Sequence, residues 1–282
     1  MANFEYLIDK INSTEFDFSP FKHIYIEDFF SQEHFDSIIN APQINLDETN
    51  SVEELIELIQ SNNYRPVIFP GCTTDISRYL KSISGQRVKT KSPDLTEGIG
   101  ISFRIQEYQD DFIKELMIFL NSDLFLKTLQ EKFKKEGVIR VETAIQKYLS
   151  GYEISPHPDI RKKCLTYMVN INPSPESENL NIHTHYMKFK DRYKDIYNFW
   201  QTNKDVDRCW VPWSWAETVK RQTKNNSIVI FAPDNDTLHA VKADYNHLKT
   251  QRTQIYGNLW YNNKKIAPLL WKDLAKTVGV EI

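Results

Sequence analysis

From residue 138 onward the chain is a succession of short runs: VIRVETAIQKYL, CLTYMVNIN, SIVIFAP, LHAVKA and RTQIYGNLWY. Each is rich in β-branched and aromatic residues, and Pro, Gly, Asn and Asp clusters separate them. Such runs suit the pleated, half-buried surface of a strand, and short strands bury their apolar faces only by pairing and stacking. The pattern therefore predicts a β-sandwich or jelly roll over residues 138–262. An aromatic content of 13% fits a β-rich core with a ring-lined pocket.

The first half reads differently. Ser31 can cap a helix over QEHFDSIINA, where Phe35, Ile38 and Ile39 share one face. Ser51 and Glu54 have capping-box spacing ahead of an apolar stripe of Val52, Leu55, Ile56 and Ile59. DDFIKELMIFLNSDLFLKTLQEKFKKEG predicts two helices broken near Asn121-Ser122 and stopped by Gly137. No Pro/Gly/Ser-rich linker separates the halves. One domain over residues 1–282 is expected: helix-rich support with an early strand over 1–137, the β core over 138–262, and a tail over 263–282. The fold class is a mainly β core with N-terminal and flanking helices, α+β overall.

The segment 187–224 breaks the strand rhythm. It holds Tyr193, Tyr197, Phe199, Trp200, Trp210, Trp213 and Trp215 among many charges. We expect an amphipathic helical insertion whose rings pack on the barrel; the functional alternative is a lid over a substrate.

With 40% hydrophobic and 26% charged residues the chain has the composition of a globular protein. A net charge of −3 argues against nonspecific nucleic-acid binding, which needs a basic excess. Cys72, Cys164 and Cys209 are scattered and form neither a zinc knuckle nor a disulfide framework. The N-terminus lacks the basic and apolar regions of a signal peptide, and no run reaches membrane-spanning length. A cytoplasmic protein with reduced thiols is expected. Oligomeric state has no signature.

His157 and Asp159 stand one residue apart in SPHPDIRKK, which on an extended segment places both on one side. His239, opening LHAVKA after SIVIFAP, is the best third member. Two imidazoles and one carboxylate leave positions open on a metal, the non-haem Fe(II) arrangement. Alone, His-x-Asp reads as a polar turn. The order is more telling: His-x-Asp after one strand, a distant His on a later strand, and Arg252 opening the next.

In that order YLSGYEISPHPD, KKCLTYMVNIN, SIVIFAPDNDTLHAV and RTQIYGNLWY resemble the Fe(II)/2-oxoglutarate-dependent oxygenases, in particular the prolyl-4-hydroxylase-like branch. FKHIYIEDFFSQEHFDSII is similar to that branch's strand-then-helix entry. The resemblance covers about residues 21–40 and 138–262, and implies a double-stranded β-helix. By position it implies Fe(II) at His157, Asp159 and His239, with Arg252 holding the distal carboxylate of 2-oxoglutarate. A guanidinium suits that task because its planar fork pairs with a carboxylate bidentately. Tyr148 corresponds to a tyrosine that hydrogen-bonds the co-substrate, and Asn170 and Asn258 are further candidates. The implied reaction uses O2, with ascorbate as candidate reductant, and hydroxylates a C–H bond while releasing succinate and CO2. The substrate would be an amino acid, peptide or other small molecule. Asp159 favours hydroxylation over halogenation, since related halogenases replace this carboxylate with a small residue.

Two departures bear on the pocket. NLNIHTHYMKF stands where relatives often have Gly-Gly-x-Thr, and Arg252 lies farther past His239, implying a longer turn through DYNHLKTQ. His183 and His185 form a rival metal pair without the Glu a cupin site needs, and read as a strand near the pocket. His23, His34 and His247 read as surface or packing residues. Hydrolase, metalloprotease and nucleotide-binding signatures are absent. A non-catalytic jelly roll binding a sugar or peptide, and a zinc hydrolase using the same three ligands, are the competing readings.

Overall fold

The computed structural model describes residues 3–67, 75–86 and 100–261. Cys72 and the tail 263–282 lie outside them. In chain order the elements are α1 (Tyr6–Ser13), β1 (His23–Ile26), α2 (Gln32–Ile39), α3 (Val52–Ser61), β2 (Tyr64–Pro66), α4 (Ile76–Ile83), β3 (Ser102–Ile105), α5 (Asp111–Leu120) and α6 (Asp123–Phe133). Then come β4 (Val138–Tyr148), β5 (Glu153–His157), β6 (Lys163–Asn170), β7 (Thr184–Phe189), α7 (Lys194–Thr202), β8 (Ala216–Gln222), β9 (Ser227–Phe231), β10 (His239–Lys242) and β11 (Arg252–Tyr261).

The predicted helix signals act as the physics requires. Ser31 Oγ accepts from His34 N, and Ser51 Oγ accepts from Glu54 N at 3.1 Å. Glu54 reaches back to the Asn50 N–H at 3.0 Å, closing the box one residue early. Ser122 starts α6 as expected. That helix stops at Phe133 rather than at Gly137, because Lys134 adopts the left-handed conformation and its N–H turns back to Gln130 and Glu131.

Two antiparallel sheets form the core. One has seven strands in the order β1-β9-β6-β11-β4-β3-β2, the other four in the order β5-β10-β7-β8. The helices bury their apolar faces, including Leu55, Ile59, Leu116 and Phe125, against one face of the large sheet. Met168, Val229 and Phe231 from the large sheet pack against Tyr186 of the small one, and Tyr148 packs against Val241. The small sheet thus covers the inner face of the large one.

Two expectations change. The large sheet recruits β2 and β3 from the first half in addition to the expected early strand β1, so that half contributes more strand than expected. The segment 187–224 is only partly helical: it contains α7, but β8 forms the edge of the small sheet beside β7. Trp200 and Trp215 pack there on Phe189, Leu238 and Ala240, as expected for rings covering the barrel.

Candidate metal centre

Register brings the predicted ligands together. His239 on β10 lies directly opposite His157 on β5, and their ring centroids are 4.2 Å apart. Asp159 reaches them differently from the expected alternation. It stands beyond the end of β5 with φ +59°, and this left-handed turn swings its carboxylate inward. Asp is among the few non-glycine residues that tolerate that conformation. Asp159 Oδ1 is 3.7 Å from His157 Nε2, and Oδ2 is 3.9 Å from His239 Nε2. One donor atom from each residue lies within 4.8 Å of the others.

The protonation states suit a cation. His157 Nδ1 faces the Ser155 carbonyl at 2.8 Å and His239 Nδ1 the Thr237 carbonyl at 3.1 Å. Only Nδ1–H can donate to a carbonyl, so each Nε2 keeps its lone pair for the centre. Burial pushes the His157 imidazole down to about 3, with His239 adding to the effect, and burial also lowers His239. Burial alone would raise the Asp159 carboxyl, but Lys163, His239 and His157 outweigh it and hold it well below the carboxylate range. Two neutral imidazoles and one carboxylate are the donor set that Fe(II) or Zn(II) takes.

Sequence reasoning missed the groups that hold Asp159. Lys163 Nζ lies 2.6 Å from Oδ1, and Thr166 Oγ1 donates to Oδ2 at 2.7 Å. Arg208 Nε donates to the Asp159 main-chain oxygen at 3.0 Å. Lys163 and Thr166 stand four and seven residues past Asp159, a spacing with no motif to mark it. Arg208 comes from the distant segment 187–224, which Arg161 stitches alongside through the Val206 carbonyl at 2.7 Å.

The centre opens into a cavity of about 370 Å³ between the two sheets. Arg252 and Tyr148 both line it and face each other across the β11–β4 ladder. The Arg252 guanidinium lies 4.4 Å from the Tyr148 ring centroid and donates to Thr184 Oγ1 at 3.1 Å. The Tyr148 hydroxyl is hydrogen-bonded to the Gln146 amide at 2.8 Å. Ile154, Met168 and Val241 supply apolar wall, and Trp210 extends it from the segment 187–224.

The remaining candidates lie elsewhere. Asn170 is committed to the Gln222 and Lys224 carbonyls and to Gln254, and does not line the cavity. Asn258 sits behind Thr166, whose hydroxyl lies 3.2 Å from its side-chain oxygen, and is also outside the cavity wall. Both stand on core strands, where a buried amide serves neighbouring backbone or side chains. His183 and His185 are not in the wall either, because Thr184 between them takes the inward position of β7. His183 bonds the Glu178 carbonyl, and His185 bonds Thr218 and packs on Trp213. His23, His34 and His247 are packing residues, in contact with Tyr186, Phe4 and Tyr79.

No family model matches the chain, and no curated protein matches it in sequence. Among solved structures it is similar to a prolyl-4-hydroxylase from Pseudomonas putida, at 11% identity and a TM-score of 0.47 over 91% of this chain and 98% of that one. It is also similar to a prolyl hydroxylase from Trichoplax adhaerens, solved with a peptide fragment of the hypoxia inducible factor oxygen degradation domain. That match has 11% identity and a TM-score of 0.46 over 92% of this chain and 89% of the other. A 2OG-Fe(II) oxygenase family oxidoreductase from Burkholderia pseudomallei matches at 7% identity and a TM-score of 0.34, over 79% and 97%.

Proposed function

We propose that the chain is a single Fe(II)- and 2-oxoglutarate-dependent oxygenase domain of the prolyl-4-hydroxylase-like kind, its two sheets forming a double-stranded β-helix. It hydroxylates a C–H bond of an amino acid, peptide or other small molecule. The observation that carries this reading is the convergence of neutral His157 and His239 with ionised Asp159 in a cavity that Arg252 also lines.

Fe(II), held by His157, Asp159 and His239, would supply oxidation with O2 and 2-oxoglutarate, with succinate and CO2 as the co-products. The chain's own residues prepare the ground. The Ser155 and Thr237 carbonyls fix the tautomers that present Nε2. Lys163 and Thr166 each hold one oxygen of Asp159, so the carboxylate is oriented before a metal arrives. Arg252, propped by Thr184 and the Tyr148 ring, is ready to pair with the distal carboxylate of 2-oxoglutarate. Tyr148 and Gln146 offer hydroxyl and amide groups on the same wall. The apolar wall excludes water, which strengthens each of these charge contacts. Asp159 as a carboxylate favours hydroxylation over halogenation.

The test is metal-dependent binding of 2-oxoglutarate, followed by succinate formation stimulated by candidate amino acids and peptides. Wild-type protein that binds no 2-oxoglutarate in the presence of Fe(II) or Co(II) refutes the reading. A zinc hydrolase would use the same three ligands but give the Arg252 guanidinium no co-substrate carboxylate to bind.

A further inference from the structure

A second cavity, of about 560 Å³, adjoins the first, and the two share Lys163 and Arg208 in their walls. Five cations line it, Lys135, Arg161, Lys163, Lys204 and Arg208, against two carboxylates, Asp205 and Asp234. Arg161 is spent on main-chain carbonyls such as that of Val206. Lys163 is paired with Asp159 and bonds the Tyr256 hydroxyl.

Arg208 is different. Its side chain is 3% exposed, yet of its five N–H groups only Nε makes a hydrogen bond among the described residues. Asp234, the nearest carboxylate, is 3.9 Å from Nη1 and itself largely exposed. Neither Nη group is a buried, partnerless atom and Arg208 lines both cavities, so these unused donors face the cavity space, where an anion can meet them. The wall points the same way: the first cavity is lined by Lys163 as well as Arg208, with Trp210 and Trp260 adding ring surface. A guanidinium is a donor only, so its free Nη groups suit an oxygen-rich group that accepts.

We propose that the substrate is a small molecule carrying an oxyanion, a carboxylate or a phosphate, which seats on Arg208 at the junction of the two cavities. There it lies beside Lys163, and Trp210 and Trp260 help to enclose it. The bidentate fork of Arg208 fixes the orientation, and a neutral substrate lacking the oxyanion leaves that fork unpaired, which is how binding sites reject near neighbours. That the oxyanion belongs to the substrate rests on the oxygenase reading; that an oxyanion binds here does not.

The two parts are tested separately by calorimetry. Inorganic phosphate, N-acetylglycine and its uncharged twin N-acetylglycinamide are titrated into chelator-treated protein, and again into protein loaded with Co(II) and saturating 2-oxoglutarate. We expect at least one of the two anions to bind in both forms, and N-acetylglycinamide to bind at least tenfold more weakly. Preference for phosphate or for N-acetylglycine assigns the oxyanion. Arg208→Gln should weaken the anion at least tenfold, and Arg208→Lys, which keeps the charge but not the fork, by an intermediate factor. Far-UV circular dichroism and a cooperative thermal transition serve as the check that the variants are folded. The proposal is overturned if neither anion binds wild type or if N-acetylglycinamide binds equally well. It is also overturned if Arg208→Gln binds like wild type, or if that variant weakens 2-oxoglutarate as much as loss of Arg252 does. Failure of 2-oxoglutarate to bind at all strikes the oxygenase reading and leaves the chelator-treated titration to judge the anion site.

Discussion

Replacing Lys163 with Met should destabilise the metal-free protein and, against first intuition, tighten its grip on a divalent metal. Lys163 Nζ sits 2.6 Å from Asp159 Oδ1, with the two side chains only 12% and 5% exposed. Removing one member of so buried a pair leaves an uncompensated charge and costs about 3–5 kcal/mol. For a chain of this size that lowers Tm by on the order of 10 °C. A dication bound between His157, His239 and Asp159 meets the same carboxylate and restores the missing positive charge. In wild type the ammonium instead repels the metal. If the metal recovers even 1.5–2 kcal/mol of the penalty, affinity rises about 10- to 30-fold. The opposing effect is loss of orientation, since removing a group that holds a ligand typically weakens metal binding about 10- to 100-fold. Here Thr166 still holds Oδ2 and Arg208 still holds the Asp159 main chain, so charge relief should win. Thermal unfolding with and without Co(II), together with chelator competition, measures both quantities. A metal-free Tm within about 2 °C of wild type, or weaker Co(II) binding in Lys163→Met, refutes the reasoning.

Other outcomes follow from the same contacts. Arg252→Ala should lose about 1.5–3 kcal/mol of 2-oxoglutarate binding, roughly 10- to 150-fold, while Co(II) affinity holds; unchanged 2-oxoglutarate affinity in calorimetry would refute its role. The metal-free protein should lose stability as pH falls from about 6.5 toward 3, because burial holds His157 down to about 3 while the unfolded chain takes up protons from its ordinary value. Burial lowers His239 in the same direction, and the depressed Asp159 carboxyl adds its own loss only below its ordinary value of 3.8. Chemical denaturation across that range should slope accordingly, and His157→Gln should flatten it; equal slopes count against a buried neutral His157. Gly257→Ala would place a Cβ 2.0 Å from Tyr167 Cζ, and that buried ring is tethered to Thr143 at 2.7 Å. Overpacking of this kind costs about 1–3 kcal/mol, so calorimetry should show Tm down by several degrees, and an unchanged Tm contradicts the packing.

Several of these groups could be read from the sequence because local chemistry marks them. Ser31, Ser51 and Ser122 announce helix starts through hydroxyls that reach only a turn ahead. His157, Asp159, His239 and Arg252 stand out because their order along the chain carries a pattern: His-x-Asp at the end of one strand, a His opening a later strand, and an Arg opening the strand after that. Asn170 and Asn258 share that neighbourhood in sequence, yet strand register sends Asn170 to the Gln222–Lys224 turn and Asn258 behind Thr166. Lys163 looked like any lysine before a strand, and its charge matters only because Asp159 turns back toward it.

The sequence by itself determined where α2, α3, α5 and α6 start, where β4, β6, β9, β10 and β11 run, and which residue types could bind a cation. These depend on propensity, capping and alternation, all short-range effects within a few residues. The tertiary structure alone decided that β1, β2 and β3 join the large sheet and that β8 edges the small one. It decided that Thr184 rather than its flanking histidines faces inward, and that Arg208 arrives at Asp159 from a distant segment. Such outcomes depend on register and on contacts between residues far apart in the chain. A shift of one residue exchanges the buried and outer faces of a strand, and no local signal records which partner lies opposite.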